Sequence, residues 1–140
     1  MARRKKLPRT LERFEAALAK LREGTAAGFE RKFERDILVE IVIKRFEYTF
    51  ESAWKTLKEL LLAEGIESLS PLGCFKEAFK LGLVAPDHEQ VFPLMVKKRN
   101  EIVHIYSAED AYETYLLVKS SFLPGLCALL DRIKSRAGKP

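Results

Sequence analysis

Residues 33–64, FERDILVEIVIKRFEYTFESAWKTLKELLLAE, carry the pattern that decides the fold. Apolar side chains recur in this stretch at intervals of three and four residues, which is the period of one face of an α-helix. They are Leu38, Val42, Phe46, Phe50, Ala53, Leu57 and Leu61. Gly65 follows, and glycine commonly ends a helix. We therefore predict one helix from about Phe33 to Glu64, roughly 45 Å long at 1.5 Å per residue, as the spine of a helical bundle.

The same period predicts helices on both sides of this spine. The first helix is indicated by Leu11, Phe14, Leu18 and Leu21, with Thr10 as a candidate N-terminal cap. The segment from Gly24 to Gly28 is expected to interrupt it. Ser70 followed by Pro71 is a strong start signal, and the short helix that begins there is expected to stop at Gly82.

The C-terminal third continues the helical pattern. Asp87 with Gln90 resembles a capping box, but an interior proline disfavours a helix, so we expect a short turn and then a helix from near Pro93. Ser107 is expected to cap the last helical region, with a break at Pro124. Alternating strand patterns are lacking. The predicted fold is all-α: an antiparallel four-helix up-and-down bundle with an extra short helix.

Composition points to a single globular domain. The chain has 140 residues, 47% of them hydrophobic, and a net charge of +5, which argues against disorder. Five of the cations lie in residues 1–9, which hold no acidic residue. We divide the chain into this basic N-terminal arm and a helical bundle over residues 10–140. Such an arm either contacts RNA phosphates or is a solvated tail.

Several classes of protein are disfavoured. We find neither an uncharged run of membrane-spanning length nor a signal peptide, and we predict a cytoplasmic protein without membrane contact. Cys74 and Cys127 are expected to be reduced core thiols. Since the sequence has no Asp-x-Asp pair, Gly-rich phosphate loop or zinc pattern, we predict no metal site, no cofactor and no nucleotidyl-transfer site of its own.

Residues 99–106, RNEIVHIY, contain the candidate chemistry. Arg99 supplies a permanent cation suited to phosphate, His104 can move protons near neutral pH, and Asn100 could position a phosphate. Together they fit metal-independent RNA cleavage. On an ideal helix Arg99 and His104 diverge by about 140°, so they converge only if the helix loosens or two copies face each other. The alternative is that both make ordinary polar contacts inside a bundle.

Glu47 on the long helix is a second candidate. Its carboxylate lies beside the apolar stripe, where it could pair with Arg99 or His104 and orient them. It could equally be a surface residue. Glu51 and Lys55 are interpreted as a solvent-facing pair four residues apart.

Residues 45–57 and residues 99–106 together resemble a known family. They are similar to the long-helix signature and to the Arg-x4-His-x-Tyr signature of the nucleotidyltransferase substrate-binding proteins, which belong to the HEPN superfamily. The resemblance covers about residues 8–136. It implies an all-α homodimer in which the motifs of two subunits face a shared cleft. It also implies a partner, a minimal nucleotidyltransferase that carries the Mg and ATP chemistry.

The resemblance further implies a function. In HEPN toxin–antitoxin pairs the HEPN protein is a ribonuclease toxin, and the nucleotidyltransferase silences it by adding AMP to a tyrosine. Carried over, Arg99 and His104 are catalytic and Tyr106 is the AMPylated residue. The alternative is a non-catalytic substrate-binding subunit that presents a ligand to the nucleotidyltransferase. In a third interpretation the motif only stabilises a dimer.

Overall fold

The computed structural model describes residues 2–105 and 107–138, with side chains described from Lys6 onward. Tyr106 lies outside the described residues. Within them the chain is all-helical, as predicted, and no strand is present. The helices are α1 (Ala2–Thr25), α2 (Ala27–Glu30), α3 (Arg35–Ala63), α4 (Pro71–Lys80), α5 (Val91–Glu101), α6 (Ala108–Leu117) and α7 (Leu123–Ala137). In the described part of the chain no helix is both long and apolar enough to cross a membrane.

Helix α3 is the centre of the structure and contacts α1, α4, α6 and α7. A series of aromatic contacts fixes it against its neighbours. The Phe46 ring stacks on Phe122 with centroids 5.3 Å apart, and Phe50 lies 5.8 Å from Phe75. Phe75 in turn lies 4.7 Å from Phe92 on α5. These rings are buried, so the core determines the height at which α4 and α5 pack along α3. The up-and-down order of four helices stays a prediction.

Most of the predicted helix ends are confirmed. The Ser70 hydroxyl accepts a hydrogen bond from the Gly73 amide at 3.0 Å, and Pro71 occupies the first turn of α4. Gly65 and Gly82 have φ of 84° and 77°, a left-handed conformation that ends a helix at little cost only for glycine. The structure therefore follows the local signals closely at these points.

The first helix is longer than the sequence pattern indicates. It begins at Ala2 and passes through Pro8, so residues 2–9 of the predicted arm are helical. Thr10 lies inside α1 and is not its cap. Its hydroxyl donates to the Leu7 carbonyl at 3.0 Å, a hydrogen bond that threonines within helices commonly form. Gly24 also belongs to α1. A β-carbon there would lie 3.3 Å from Val42 Cγ2, so the glycine permits close approach of α1 to α3.

Two prolines act near their predicted places. A short 3₁₀ turn, Pro86–His88, precedes α5, and Pro93 lies in the first turn of that helix. The break expected at Pro124 begins earlier, as a π-helical turn over Val118–Phe122. A proline cannot donate to the carbonyl four residues before it and its ring crowds that carbonyl, which accounts for the distortion on the N-terminal side of Pro124.

Candidate functional site

The motif lies where α5 ends. The α-helix stops at Glu101, a 3₁₀ turn covers Ile102–His104, and Ile105 is extended with φ −84° and ψ 113°. The Ser107 hydroxyl then accepts from the Asp110 amide at 3.1 Å and caps α6. The helix therefore loosens between Arg99 and His104, which is one of the two conditions under which the sequence argument lets the two side chains converge.

Three neighbouring residues, two on α3 and one on α5, contact the Arg99 side chain. Its Nη2 donates to the Glu51 carboxylate on α3, and its Nη1 donates to Asn100 Oδ1 at 3.4 Å. The guanidinium carbon lies 5.3 Å from the centroid of the Phe50 ring, within the range of a cation–π contact. The Arg99 side chain remains 34% exposed. It is thus a positioned cation that a ligand can still reach.

Glu51 is the residue of the candidate site that sequence reasoning missed. Its pair with Lys55 is present, with Nζ 3.7 Å from Oε2, but the same carboxylate also binds Arg99 and accepts from Trp54 Nε1 at 3.3 Å. Its proximity to Phe50 in sequence was a usable signal, because Phe50 is on the buried face of α3. Its partner on α5 lies 48 residues away, and no pattern in the sequence indicates that pairing.

Glu47 does not hold the place the sequence suggested for it. The partner of Arg99 is Glu51, one turn further along α3. Among the residues whose side chains are described, no hydrogen bond or ion pair joins Glu47 to Arg99 or His104. Glu47 is half-buried and lines a groove next to the motif. A role for it in contacting a ligand stays a prediction.

The side chain of His104 is exposed to solvent. This residue is the last of the 3₁₀ turn, and it forms no hydrogen bond or ion pair with any described side chain. The preceding Val103 is 73% exposed. An imidazole in this position is open to a ligand or to a second copy of the chain.

A groove of about 430 Å³ opens between α3 on one side and, on the other, residues of the motif and of α6, among them Ile102 and Ala108. Its apolar floor is formed by residues that include Ile43, Ile102 and Ile105. Its charged lining consists of Asp36, Glu40, Lys44 and Glu47. Ile105 and Ser107, the two sequence neighbours of Tyr106, also line it. The groove suits a ligand that offers hydrogen-bond donors or cationic groups.

The cysteines and the second histidine, which lie outside the motif, are not placed for catalysis. Burial raises the pKa of the Cys74 thiol and of the Cys127 thiol, so both are protonated near neutral pH and poor nucleophiles. His88 is half-buried, and its Nδ1 has no hydrogen-bond partner among the described atoms. Over the described ranges no group of three metal-ligating side chains comes together.

These observations define an all-helical protein with a polar motif at a helix end beside an open groove. Residues 9–135 match the family described as nucleotidyltransferase substrate binding protein like, and the chain belongs to that family. It is also similar to a crystal structure of a protein from Thermus thermophilus, with a TM-score of 0.72 and 30% identity. That alignment covers 90% of this chain and 99% of the other. No curated protein matches the chain.

Proposed function

We propose that this protein is a HEPN-type ribonuclease that works with a nucleotidyltransferase partner, and that Arg99 and His104 are its catalytic residues. The family supports the partner, since its description refers to nucleotidyltransferases. One observation supports the catalytic pair above all. The Arg99 guanidinium is anchored by Glu51 but remains partly exposed to solvent, and the solvent-exposed imidazole of His104 lies on the same short segment.

The reaction follows from these groups. His104 removes the proton from a ribose 2′-hydroxyl, and the 2′-oxygen forms a bond to the adjacent phosphorus. The bond from phosphorus to the 5′-oxygen breaks, leaving a 2′,3′-cyclic phosphate and a 5′-hydroxyl. Arg99 stabilises the charge that develops on the phosphoryl oxygens, and Asn100, already hydrogen-bonded to Arg99, positions the phosphate.

A homodimer completes this site. The leaving 5′-oxygen needs a general acid while the 2′-hydroxyl needs a general base, and each chain brings one histidine in its motif. Two copies that face each other across the motif provide both. The exposed Val103 beside His104 supports this arrangement, because a 73% exposed apolar side chain gains from being covered.

Regulation is assigned to Tyr106. The partner transfers an adenylyl group from ATP to the phenolic oxygen and releases pyrophosphate. The adduct adds bulk and negative charge, which repels RNA phosphates. Support comes from Ile105 and Ser107, which line the groove on either side of this position in the sequence. In this proposal, RNA cleavage and the modification of Tyr106 both take place in the cytoplasm.

The cleavage test uses purified protein and single-stranded RNA in the presence of a chelator. The parent is expected to produce cyclic phosphate ends, and His104→Ala is expected to produce none. His88→Ala is the matched control, because His88 is the other of the two histidines and lies outside the motif. Equal cleavage by His104→Ala and the parent contradicts the proposal.

The modification test incubates the protein with its partner, ATP and Mg²⁺ and measures the intact mass. The parent is expected to gain one or more AMP units. Tyr106→Phe is expected to gain none, with Tyr48→Phe as a control because Tyr48 is also exposed. A gain on Tyr106→Phe contradicts the assignment of the modified residue.

A second candidate function is a non-catalytic subunit that presents a ligand to the nucleotidyltransferase. The acidic lining of the groove, which includes Asp36, Glu40 and Glu47, supports it, because three carboxylates favour a ligand with amino groups over a phosphate. This alternative predicts nucleotidyl transfer to a cationic small molecule only when both proteins are present. Transfer that persists in Glu40→Gln/Glu47→Gln speaks against the groove as the binding site.

A further inference from the structure

Helix α1 carries an uncompensated stripe of positive charge. Lys6, Arg9, Arg13 and Lys20 are all exposed. At 100° per residue they fall within about 60° of one another on the helix surface, and they extend over about 21 Å of helix length. Across the described side chains no carboxylate pairs with any of the four, whereas Arg45 on α3, Lys119 in the π-helical turn and Lys134 on α7 are each paired.

This stripe is separate from the apolar face of the same helix. Phe14, Leu18 and Leu21 are buried against the core. A helix that lies in a membrane surface needs its apolar face free for insertion, and here that face is already covered. The exposed face carries charge, and the apolar side chains within it are small, such as Ala16, which suits a polyanion in water.

An exposed aromatic ring lies on α3 near the Lys20 end of the stripe. Arg45 Nη1 on α3 donates to the Lys20 carbonyl at 2.8 Å, which places this part of α3 against α1. Tyr48 follows Arg45 by three residues and is therefore its neighbour on the helix surface. The Tyr48 side chain is 59% exposed, and Lys44 Nζ lies 5.5 Å from the centroid of its ring.

We propose that the α1 stripe and Tyr48 form a binding surface for single-stranded nucleic acid, apart from the Arg99–His104 motif. Phosphates contact Lys6, Arg9, Arg13 and Lys20, and a base stacks on Tyr48. Cations that follow a backbone, combined with an aromatic platform, are the usual means of binding single strands without reading their sequence. The choice of RNA as the strand rests on the proposed function; the surface itself does not.

The experiment measures the affinity of the full chain for a labelled single-stranded RNA by fluorescence anisotropy at several salt concentrations. His104→Ala is the background, so that cleavage does not interfere. Arg9→Glu/Arg13→Glu is expected to weaken binding about tenfold or more. Its plot of log affinity against log salt should be shallower by about 0.7 for each phosphate that the variant no longer neutralises.

The matched control is Lys32→Glu/Lys76→Glu. These lysines are exposed and unpaired within the described side chains, and the double variant changes the net charge by the same amount. It is expected to bind RNA within about twofold of the background protein. Tyr48→Ser is expected to weaken binding about tenfold because the base has no ring to stack on, with an unchanged salt slope.

Three results overturn the proposal. The first is an equal loss of affinity in both double variants, which makes net charge the only cause. The second is binding to phosphatidylserine vesicles through the stripe without binding to RNA. The third is a Tyr48→Ser variant that changes the oligomeric state in sedimentation and keeps its RNA affinity. Binding is measured on His104→Ala and cleavage on the parent protein. A failure of the binding proposal therefore does not decide whether the parent cleaves RNA.

Discussion

The carboxylate of Glu51 on α3 holds the guanidinium of Arg99 at the end of α5, across 48 residues of chain. Phe50, the residue before Glu51, lies under the same guanidinium. The candidate catalytic cation is therefore positioned by the central helix, and among the described residues of its own segment Asn100 contributes one further hydrogen bond. This relationship makes the site sensitive to residues that do not belong to the motif.

The first prediction concerns Glu51→Gln. The amide keeps a hydrogen-bond acceptor but removes the negative charge, so Arg99 is less firmly held and RNA cleavage falls. Because both side chains are about one-third exposed, the stability loss is only about 1 kcal/mol. Urea unfolding and initial cleavage rates measure the two effects. Lys55→Gln is the control, because Lys55 is exposed and pairs with the same carboxylate. A Glu51→Gln variant that matches the parent in both measurements refutes the positioning role.

The second prediction concerns the cap after the motif. Ser107→Ala removes the acceptor of the Asp110 amide and should lower the free energy of unfolding by about 1 kcal/mol. Ser107→Asp keeps an acceptor oxygen and should restore most of it. Thermal denaturation of the three proteins measures this. Failure of aspartate to restore stability argues that the hydroxyl acts in some way other than as a cap.

The third prediction tests the close approach of α1 to α3. Gly24→Leu places a branched side chain where even a β-carbon lies 3.3 Å from Val42, so overpacking should cost about 1–3 kcal/mol. The control is Gly28→Leu, since a β-carbon there meets nothing within 4 Å. Urea midpoints give the comparison. Similar midpoints for the two variants would show that α1 can shift away from α3 without cost.

The fourth prediction is a loss of stability in acid that depends on Glu30. The hydrogen bond from Lys119, and a weaker contribution from the Tyr115 hydroxyl, hold the pKa of Glu30 below its ordinary value of 4.5. A lowered folded pKa means that the stabilisation is present above pH 4.5 and is lost as the pH falls through the folded pKa. Glu30→Gln should flatten the stability–pH curve in that range. Glu12→Gln, at an exposed site, should leave the curve unchanged.

The fifth prediction concerns the opposite end of the pH scale. Burial, together with the hydrogen bond to Glu30, raises the pKa of Tyr115 from 10.0 to about 12. Since the folded state favours the neutral phenol, its contribution to stability is complete below pH 10 and is lost between pH 10 and about 12. The phenolate absorbance should show a late phase that Tyr115→Phe removes. In denaturant this phase should move to the ordinary value, and a late phase that persists there excludes a folded-state cause.

The parts of the fold that the sequence predicts well depend on residues close together in the chain. Ser70, Gly65 and Gly82 each act through hydrogen bonds or dihedral angles within a few positions, and their roles are visible in a short window. Thr10 shows the limit of such a window. Its hydroxyl is suited to a cap or to a bond with the carbonyl three residues before it, and only the helix upstream decides between them.

The candidate site was predictable to the same extent. The looser helix end between Arg99 and His104 follows from the Ser107 cap, which is a local signal. The choice of Glu51 over Glu47 as the partner of Arg99 is not local, because both carboxylates lie on the same side of α3. It depends on the height at which α5 packs, and that height is determined by the contact of Phe92 with Phe75 and of Phe75 with Phe50.

Arg99 and His104 differ in what the fold requires of them. Arg99 is bonded to the central helix, so its replacement disturbs the structure, whereas the exposed His104 has no bond to a described side chain that its replacement would break. Sequence drift is therefore freer to erase the imidazole than the guanidinium, which persists for its architectural contribution. A relative that lacks the histidine would still be expected to carry the arginine, because its bond to α3 remains useful to the fold.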